Sequence, residues 1–253
     1  MAAAWAIGSV AQAQAPRDSI SADPRAAQPE RPTVATHAGT VARGYVEFET
    51  GLEADRGPGS ASNHITTLAT KVGLAPRVQL SVFVSGSTPD GGRTGFGDAA
   101  VGVKWRLVED HPVLGDFAVL PIVKLPTGSV ARGTGTGSTD ASLWLVSSRD
   151  LGPVHLDMNL AYTWRSSDAN APREQWLWTA SFSGTIGGPV GWEAEWYGYP
   201  GTAGSAVTSG LLLGPTWQVR ATTVLDAGII VPVTRAQPHA LYVGVTTNAG
   251  RWF

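Results

Sequence analysis

The sequence contains no cysteine and no apolar run long enough to form a membrane-spanning helix. Without cysteine the chain can have no disulfide, no thiolate metal site and no cysteine nucleophile. A helix that crosses a bilayer needs about 18 consecutive apolar residues. Charge is also scarce, at 15% of residues against about 25% in soluble globular proteins. Because a spanning helix cannot account for this shortage of charge, a different membrane-compatible structure has to be considered.

Positive charge is not concentrated anywhere in the chain. The formal net charge is -2, and no stripe of Lys and Arg is visible, so nucleic acid is not an expected partner. No pair of histidines has the spacing of metal ligands. We therefore expect no metal and no cofactor.

The first 40 residues show no regular pattern. Residues 1–15 have the apolar stretch and the small-residue cleavage site of a secretory signal peptide, although the basic residues that usually come first are lacking. Either the natural start lies upstream or the segment is an alanine-rich tail, and we expect export. Residues 16–40 are rich in Pro, Ala, Arg, Asp and Gln, which predicts a disordered periplasmic segment. A single domain is expected over residues 41–253.

Alternation of apolar and polar residues dominates everything after residue 43. In the stretch from Leu68 to Val84 the alternation runs on both sides of Ala75-Pro76-Arg77. Proline fixes its own φ and cannot donate to a strand ladder, so the pattern predicts an antiparallel hairpin. One face is aliphatic and the other small or polar, which suits a sheet between hydrocarbon and water, or a soluble sandwich.

The same pattern recurs about twelve times, in strands of about ten residues. Short breaks between the strands alternate with long polar ones, and only 108–115 is intermediate. This alternation is typical of membrane barrels and has no reason in a sandwich. The sequence therefore predicts an all-β fold: a closed antiparallel transmembrane up-and-down β-barrel of about 12 strands. Aromatic residues near the strand ends predict interface girdles; they are Trp105, Trp164, Trp176, Trp178, Trp192 and Trp217.

Charged residues on the polar face of the strands are predicted to line the lumen. An acidic surplus would favour cations, whereas pairing of these charges across strands would plug the pore. Both readings remain open from the sequence. The predicted lumen-lining or substrate-pathway residues are Glu47, Glu49, Lys71, Asp98, Lys104, Arg106, Lys124, Asp140, His155, Asp157, Glu193, Glu195 and Asp226.

Three local features allow more than one interpretation. The Gly-rich stretch 127–137 is either a loop that folds inward to constrict the pore or a mobile external loop. Pro121 and Pro215 lie inside strands, where a closed barrel has no edge, so bulges are predicted there. His155 lies beside Asp157 on the inward face, with Ser142 and Ser147 on the preceding strand, but alternation points it away from lipid and neither serine lies in a nucleophile motif. We expect no catalytic residues.

Several strings resemble the family described as "Putative MetA-pathway of phenol degradation", a group of predicted outer-membrane transporters. They are Gly95-Phe96-Gly97-Asp98 before Val101-Gly102-Val103-Lys104-Trp105, then Val123-Lys124-Leu125-Pro126-Thr127-Gly128, Gly135-Thr136-Gly137-Ser138-Thr139-Asp140 and Asp150-Leu151-Gly152. The resemblance covers about Gly44 to Phe253. It implies a barrel that takes up small, often aromatic, molecules.

The expected function is an outer-membrane channel or transporter for small molecules, with aromatic or hydrophobic compounds as candidates. The alternatives are a lipid-modifying outer-membrane enzyme of the esterase or phospholipase type and a closed structural barrel. Expected partners are outer-membrane lipid, a small-molecule substrate and, through the terminal aromatic Phe253, the barrel-assembly machinery.

Overall fold

The computed structural model describes residues 23–56, 63–88, 93–167, 172–201 and 207–253. The segment 1–15, predicted to be a signal peptide, lies outside the described residues. Within those ranges no helix is both long and apolar enough to cross a membrane. The strands are β1 Tyr45–Arg56, β2 Asn63–Ala75, β3 Val78–Thr88, β4 Gly95–Phe96, β5 Ala99–His111, β6 Gly115–Leu125, β7 Asp140–Leu151, β8 Val154–Arg165, β9 Glu174–Gly187, β10 Val190–Tyr199, β11 Thr208–Arg220, β12 Thr223–Pro232 and β13 His239–Arg251.

Twelve long strands form one closed antiparallel barrel. Each pairs with its neighbour along the chain, and β1 pairs with β13 to close the ring. The two-residue β4 adds only a short pairing to β3, whose ladder continues to β5. The predicted fold class and strand number are confirmed. Closure satisfies every strand edge, which is the condition for a sheet that spans hydrocarbon.

Short turns lie at one end of the barrel and long connections at the other, as predicted. We call these the turn end and the loop end. The turns comprise residues 76–77, 112–114, 152–153, 188–189 and 221–222. The connection predicted as intermediate is short because β5 continues to His111. At the first hairpin, Pro76 is followed by Arg77 with φ 66°, which reverses the chain in two residues.

The two faces of the wall differ as the alternation requires. Outward positions carry large exposed apolar residues, among them Leu143, Leu145 and Trp217. Tryptophans predicted for the girdles face outward; those at 105, 164, 176 and 217 are exposed and those at 178 and 192 are half-buried. Inward positions are mostly polar. A barrel of this kind has a lipid-facing apolar surface and a polar lumen.

The bulges predicted at the two prolines are wrong. Pro121 stays in register with Leu143 of β7, and Pro215 with Trp192 of β10. On the other side of each proline the ladder is interrupted without a shift of register. The missing N–H therefore costs a local pairing rather than an extra residue.

The prediction of a disordered periplasmic segment needs correction over residues 23–40. This part of the chain has a defined path, and residues 35–39 are buried. It lies inside the barrel, where wall side chains bind its backbone. Low apolar content does not leave the segment without structure, because its polar backbone groups find partners in a polar lumen. Residues 16–22 lie outside the described ranges.

Candidate functional site

The lumen changes in chemistry from one end to the other. Near the turn end, inward residues are charged or polar, such as Glu47, Lys71, Lys104 and Asp157. Nearer the loop end they include an apolar and aromatic group. This group comprises Ala161, Leu177, Tyr197, Leu212, Ile230, Ala240 and Tyr242, with Val34, Trp144 and Tyr199 against it. The two halves can therefore bind different chemistry.

Residues 27–44, here called the plug segment, fill the turn-end half as an inverted U. The segment enters beside the turn at 221–222, where the Ala27 N–H donates to the Ala221 carbonyl at 2.9 Å. It rises to residues 31–36 and returns to Ala42 and Gly44, which precede β1 and lie next to Gly73 of β2. Both ends of the U thus lie at the turn end, and its top points toward the loop end.

Wall side chains accept the N–H groups of the plug segment. Glu195 accepts from Val34 and Ala35, both at 2.7 Å, and Asn159 accepts from Thr36 at 2.7 Å. Glu47 and Glu49 of β1 accept from Gln28 and Glu30, both at 2.7 Å. Ser148 of β7 accepts from Ala38 at 2.7 Å, and Gln79 of β3 accepts from Val41 at 2.9 Å. Buried N–H groups need such partners.

Lys104 joins the two limbs of the U. Its ammonium pairs with the Glu30 carboxylate on the rising limb. On the returning limb it donates to the Thr36 hydroxyl at 2.8 Å, the His37 carbonyl at 2.7 Å and the Gly39 carbonyl at 3.3 Å. A fully buried ammonium with this many acceptors is a strong local clamp.

Lys71 supports the rising limb from β2. Its ammonium lies 2.6 Å from Glu47, 2.8 Å from Glu49 and 2.5 Å from the Gln28 carbonyl. Glu47 and Glu49, which accept plug N–H groups, are thereby balanced by a buried cation.

Arg31 lies at the top of the U against bare backbone. A Cβ at Gly51 or Gly244 would fall 2.2 Å or 2.4 Å from the Arg31 side chain, so a larger residue at either position would force the guanidinium to move. The guanidinium donates to the Thr67 hydroxyl at 2.9 Å and lies 3.4 Å from Asp226. The two glycines therefore shape the place of this side chain.

A cavity of about 380 Å³ lies on the loop side of the plug segment. Its floor is formed by plug residues 30–31 and 33–36. Its walls come from β1, β2, β3, β5, β6 and β7 and are mainly apolar; they are Glu49, Thr67, Ala69, Phe83, Ala100, Leu120, Ile122 and Trp144. An apolar cavity with a few polar groups at one side is the common form of a small-molecule site.

At the loop end, Asp98 anchors the Gly-rich connection. Its carboxylate accepts the N–H groups of Gly128 and Thr136, both at 2.9 Å, and pairs with Lys124 at 3.0 Å. Burial by itself would raise the pKa of Asp98, but these backbone and lysine hydrogen bonds outweigh it and hold the pKa at about 2. Lys124 also lies 3.1 Å from Asp140. The stretch predicted as a constriction or a mobile external loop is tied to the rim of the barrel.

At the turn end, the histidine that raised the esterase alternative contacts two carboxylates. His155 lies 2.7 Å from Asp150 and 3.2 Å from Asp157. Ser147 donates to the Leu114 carbonyl, and Ser142 pairs with Thr163 near the loop end. A nucleophile would need a hydrogen bond to its base, so these serines do not form a catalytic pair with His155. Across the described ranges, no group of three or more potential ligand side chains could hold a metal.

The thirteen predicted lumen-lining residues all face inward, and all except Asp98 and Lys124 are buried. Twelve of them form three groups rather than one pathway. Glu47, Glu49, Lys71, Lys104, Glu195 and Asp226 contact the plug segment; Arg106, His155 and Asp157 lie near the turn end; Asp98, Lys124 and Asp140 lie at the loop end. Glu193 lies on β10, beside Glu195 on the same face. Their predicted role in a substrate pathway stays a prediction.

Sequence reasoning missed Gln79, Ser148 and Asn159 as functional residues, as well as Glu30 and Arg31 of the plug segment. The three wall residues are uncharged polar side chains at inward positions, and alternation alone could have identified them. No periodic signal marks the other two, because the plug segment has no regular structure.

Solved structures with the same fold are outer-membrane barrels. The COG4313 outer membrane channel from Pseudomonas putida F1 matches with a TM-score of 0.65 and 12% identity, over 83% of this chain and 97% of that one. A KdgM porin matches with a TM-score of 0.56 and 12% identity, over 79% and 98%. The CymD monoaromatic hydrocarbon channel matches with a TM-score of 0.50 and 8% identity, over 83% and 90%. At these identities the likeness shows the fold alone.

No curated protein matches the chain. A family model does match, over residues 30–238. The match includes the Asp98 and Lys124 strings and begins at Glu30 of the plug segment. The chain belongs to the family described as "Putative MetA-pathway of phenol degradation".

Proposed function

We propose that the chain is an outer-membrane channel or transporter for small molecules, and that aromatic or hydrophobic compounds bind in the cavity above the plug segment. The observation that carries this proposal is the cavity itself, of about 380 Å³, with Phe83, Leu120, Ile122 and Trp144 in its walls. Its volume suits a one-ring or two-ring ligand, and its polar floor suits one hydroxyl or amine group. The name of the CymD channel refers to monoaromatic hydrocarbons, the same chemical class as the ligand proposed for this cavity.

In this proposal the barrel lies in the outer membrane with its turn end toward the periplasm, after export through a signal peptide. A ligand enters at the loop end, binds in the cavity and leaves when the plug segment moves. The barrel is not an enzyme. The predicted membrane lipid and assembly-machinery partners belong to the same proposal, and Trp252 and Phe253 are exposed at the turn end.

A closed structural barrel is the second candidate, because the plug segment fills the turn-end half of the lumen. The two functions differ in whether a ligand binds saturably. Binding of 1-naphthol to the purified, detergent-solubilised chain can be followed by its fluorescence, and partition into detergent gives only a non-saturable background.

The test uses two substitutions to tryptophan. Leu120→Trp should fill the cavity and abolish saturable binding, because Leu120 lines it. Leu143→Trp is the matched control, since Leu143 faces lipid on β7. Cells that produce the chain should also take up 1-naphthol faster than cells that do not. Absence of both saturable binding and added uptake would refute the channel and favour the structural barrel.

A further inference from the structure

In the turn-end half of the lumen, wall side chains bind the peptide groups of the plug segment at many positions. Six wall residues, here called the backbone track, accept its N–H groups: Glu47, Glu49, Gln79, Ser148, Asn159 and Glu195. We propose that the backbone track is a binding site for a polypeptide segment in this inverted-U path, which residues 28–41 occupy and which the same segment supplied by another molecule can also occupy. Because exchange would open or close the proposed channel, its regulatory meaning rests on the proposed function.

The acceptors of the track follow the plug segment along most of its path. They come from five strands, β1, β3, β7, β8 and β10, and reach N–H groups spread over fourteen residues of the chain, from 28 to 41. All seven distances fall between 2.7 and 2.9 Å. These are the lengths of good N–H···O hydrogen bonds. Residues 28–41 carry twelve N–H groups, since Pro29 and Pro32 have none, and seven of the twelve donate to the wall.

Asn159 shows the principle most clearly. Its side-chain oxygen accepts the Thr36 N–H at 2.7 Å, and its side-chain nitrogen donates to the Thr36 carbonyl at 2.9 Å. A side-chain amide thus reads both polar groups of one residue, as a neighbouring strand would. Lys71 and Lys104 add donors for the carbonyls of Gln28, His37 and Gly39.

Four of the seven N–H donors belong to residues with apolar side chains. Val34, Ala35, Ala38 and Val41 each donate an N–H group to the track, yet none of their side chains can form a hydrogen bond. Recognition at these four positions therefore passes through peptide groups, and the Glu30 and Arg31 side chains add their own contacts. The occupant to which we commit is residues 28–41, because its length matches the track and Glu30 also pairs with Lys104.

The first experiment measures displacement in the full-length chain. The sequence has no cysteine, so Val41→Cys creates a single thiol at a buried position of the plug segment. Maleimide labelling of this thiol should be slow. A synthetic peptide of residues 28–41 should accelerate the labelling about tenfold at saturation. It displaces the plug segment, which carries the thiol, from its buried place against the wall.

The matched control is the same peptide with methylated backbone nitrogens at the positions of Val34, Ala35 and Thr36. It keeps every side chain but cannot donate to Glu195 and Asn159, so it should not accelerate labelling. Equal acceleration by both peptides, or none by the unmodified peptide, would overturn the proposal. The readout is thiol access, which requires no transport. Failure of the proposed channel function would therefore leave this result unchanged.

A second pair of variants tests the track without added peptide. In the Val41→Cys chain, Ala35→Pro removes an N–H that Glu195 binds, and it should accelerate labelling several-fold. Thr40→Pro removes an N–H for which no acceptor is found among the described residues, and it should not. Circular dichroism of each variant confirms that the barrel is folded. Acceleration by both prolines alike would refute recognition through specific peptide groups.

Discussion

Replacement of Lys104 by methionine should release the plug segment while the barrel remains folded. Methionine retains most of the length and bulk of lysine but removes the ammonium that joins the two limbs. Glu30 then keeps the Gln79 amide, which donates to it at 3.2 Å, and the more distant Lys71 at 4.0 Å. The plug segment therefore loses its clamp and gains a poorly paired buried carboxylate.

The expected magnitude follows from the contacts that are lost. Hydrogen bonds to a charged group contribute about 1.5–3 kcal/mol each, and Lys104 makes two such bonds of good length, to Thr36 and His37. Part of this free energy is recovered when water solvates the released groups. A net loss of about 3 kcal/mol would raise the open fraction of the lumen about 100-fold.

Single-channel conductance in a planar bilayer is the assay. The unaltered chain should be closed for most of the record, whereas Lys104→Met should open often and for longer. Lys124→Met is the matched control, since it removes the same charge from the lumen. Lys124 pairs with Asp98 and Asp140 at the loop end and does not contact the plug segment. If Lys104→Met stayed as closed as the unaltered chain, or if both substitutions opened the lumen equally, the clamp would be refuted.

Three further results are expected. Gly244→Leu should displace Arg31 and lower the thermal unfolding temperature, because a Cβ would lie 2.4 Å from that side chain, whereas Gly187→Ala, which faces open space, should change it little; equal shifts would contradict this account. Asp98→Asn should expose residues 126–139 to protease, because the carboxylate binds two of their N–H groups; unchanged cleavage would be inconsistent with the anchor. In the unaltered chain the same protection should persist above the ordinary pKa of 3.8 and be lost as the pH falls to about 2, since the pKa of Asp98 is lowered in the folded chain; protection that survives at still lower pH, measured with an acid-stable protease, would argue against it.

The features that local sequence encodes were predictable. Strand alternation has a period of two, and it depends only on which face of the wall meets hydrocarbon. The inward orientation of charged residues such as Glu47 and Asp226 follows from the same period. The alternation of short and long connections predicted the barrel, because tight hairpin turns of two or three residues lie at one end and longer loops at the other.

The lumen could not be predicted in the same way. Glu195 binds Ala35 across 160 positions of sequence, and nothing local to either residue indicates the pairing. The interpretation of residues 16–40 as disordered rested on composition, which measures how much apolar surface a segment can bury. It takes no account of acceptors that a distant wall offers to the backbone.

The sequence by itself determined a closed barrel with apolar strand faces outward and charged ones inward, because that alternation is a local property of each strand. Only the tertiary structure decided that the turn-end half of the lumen is filled and that a cavity remains above it. The physical reason is that closure of the ring brings acceptors from five strands around one axis, where they can bind a segment whose own sequence carries no periodic signal.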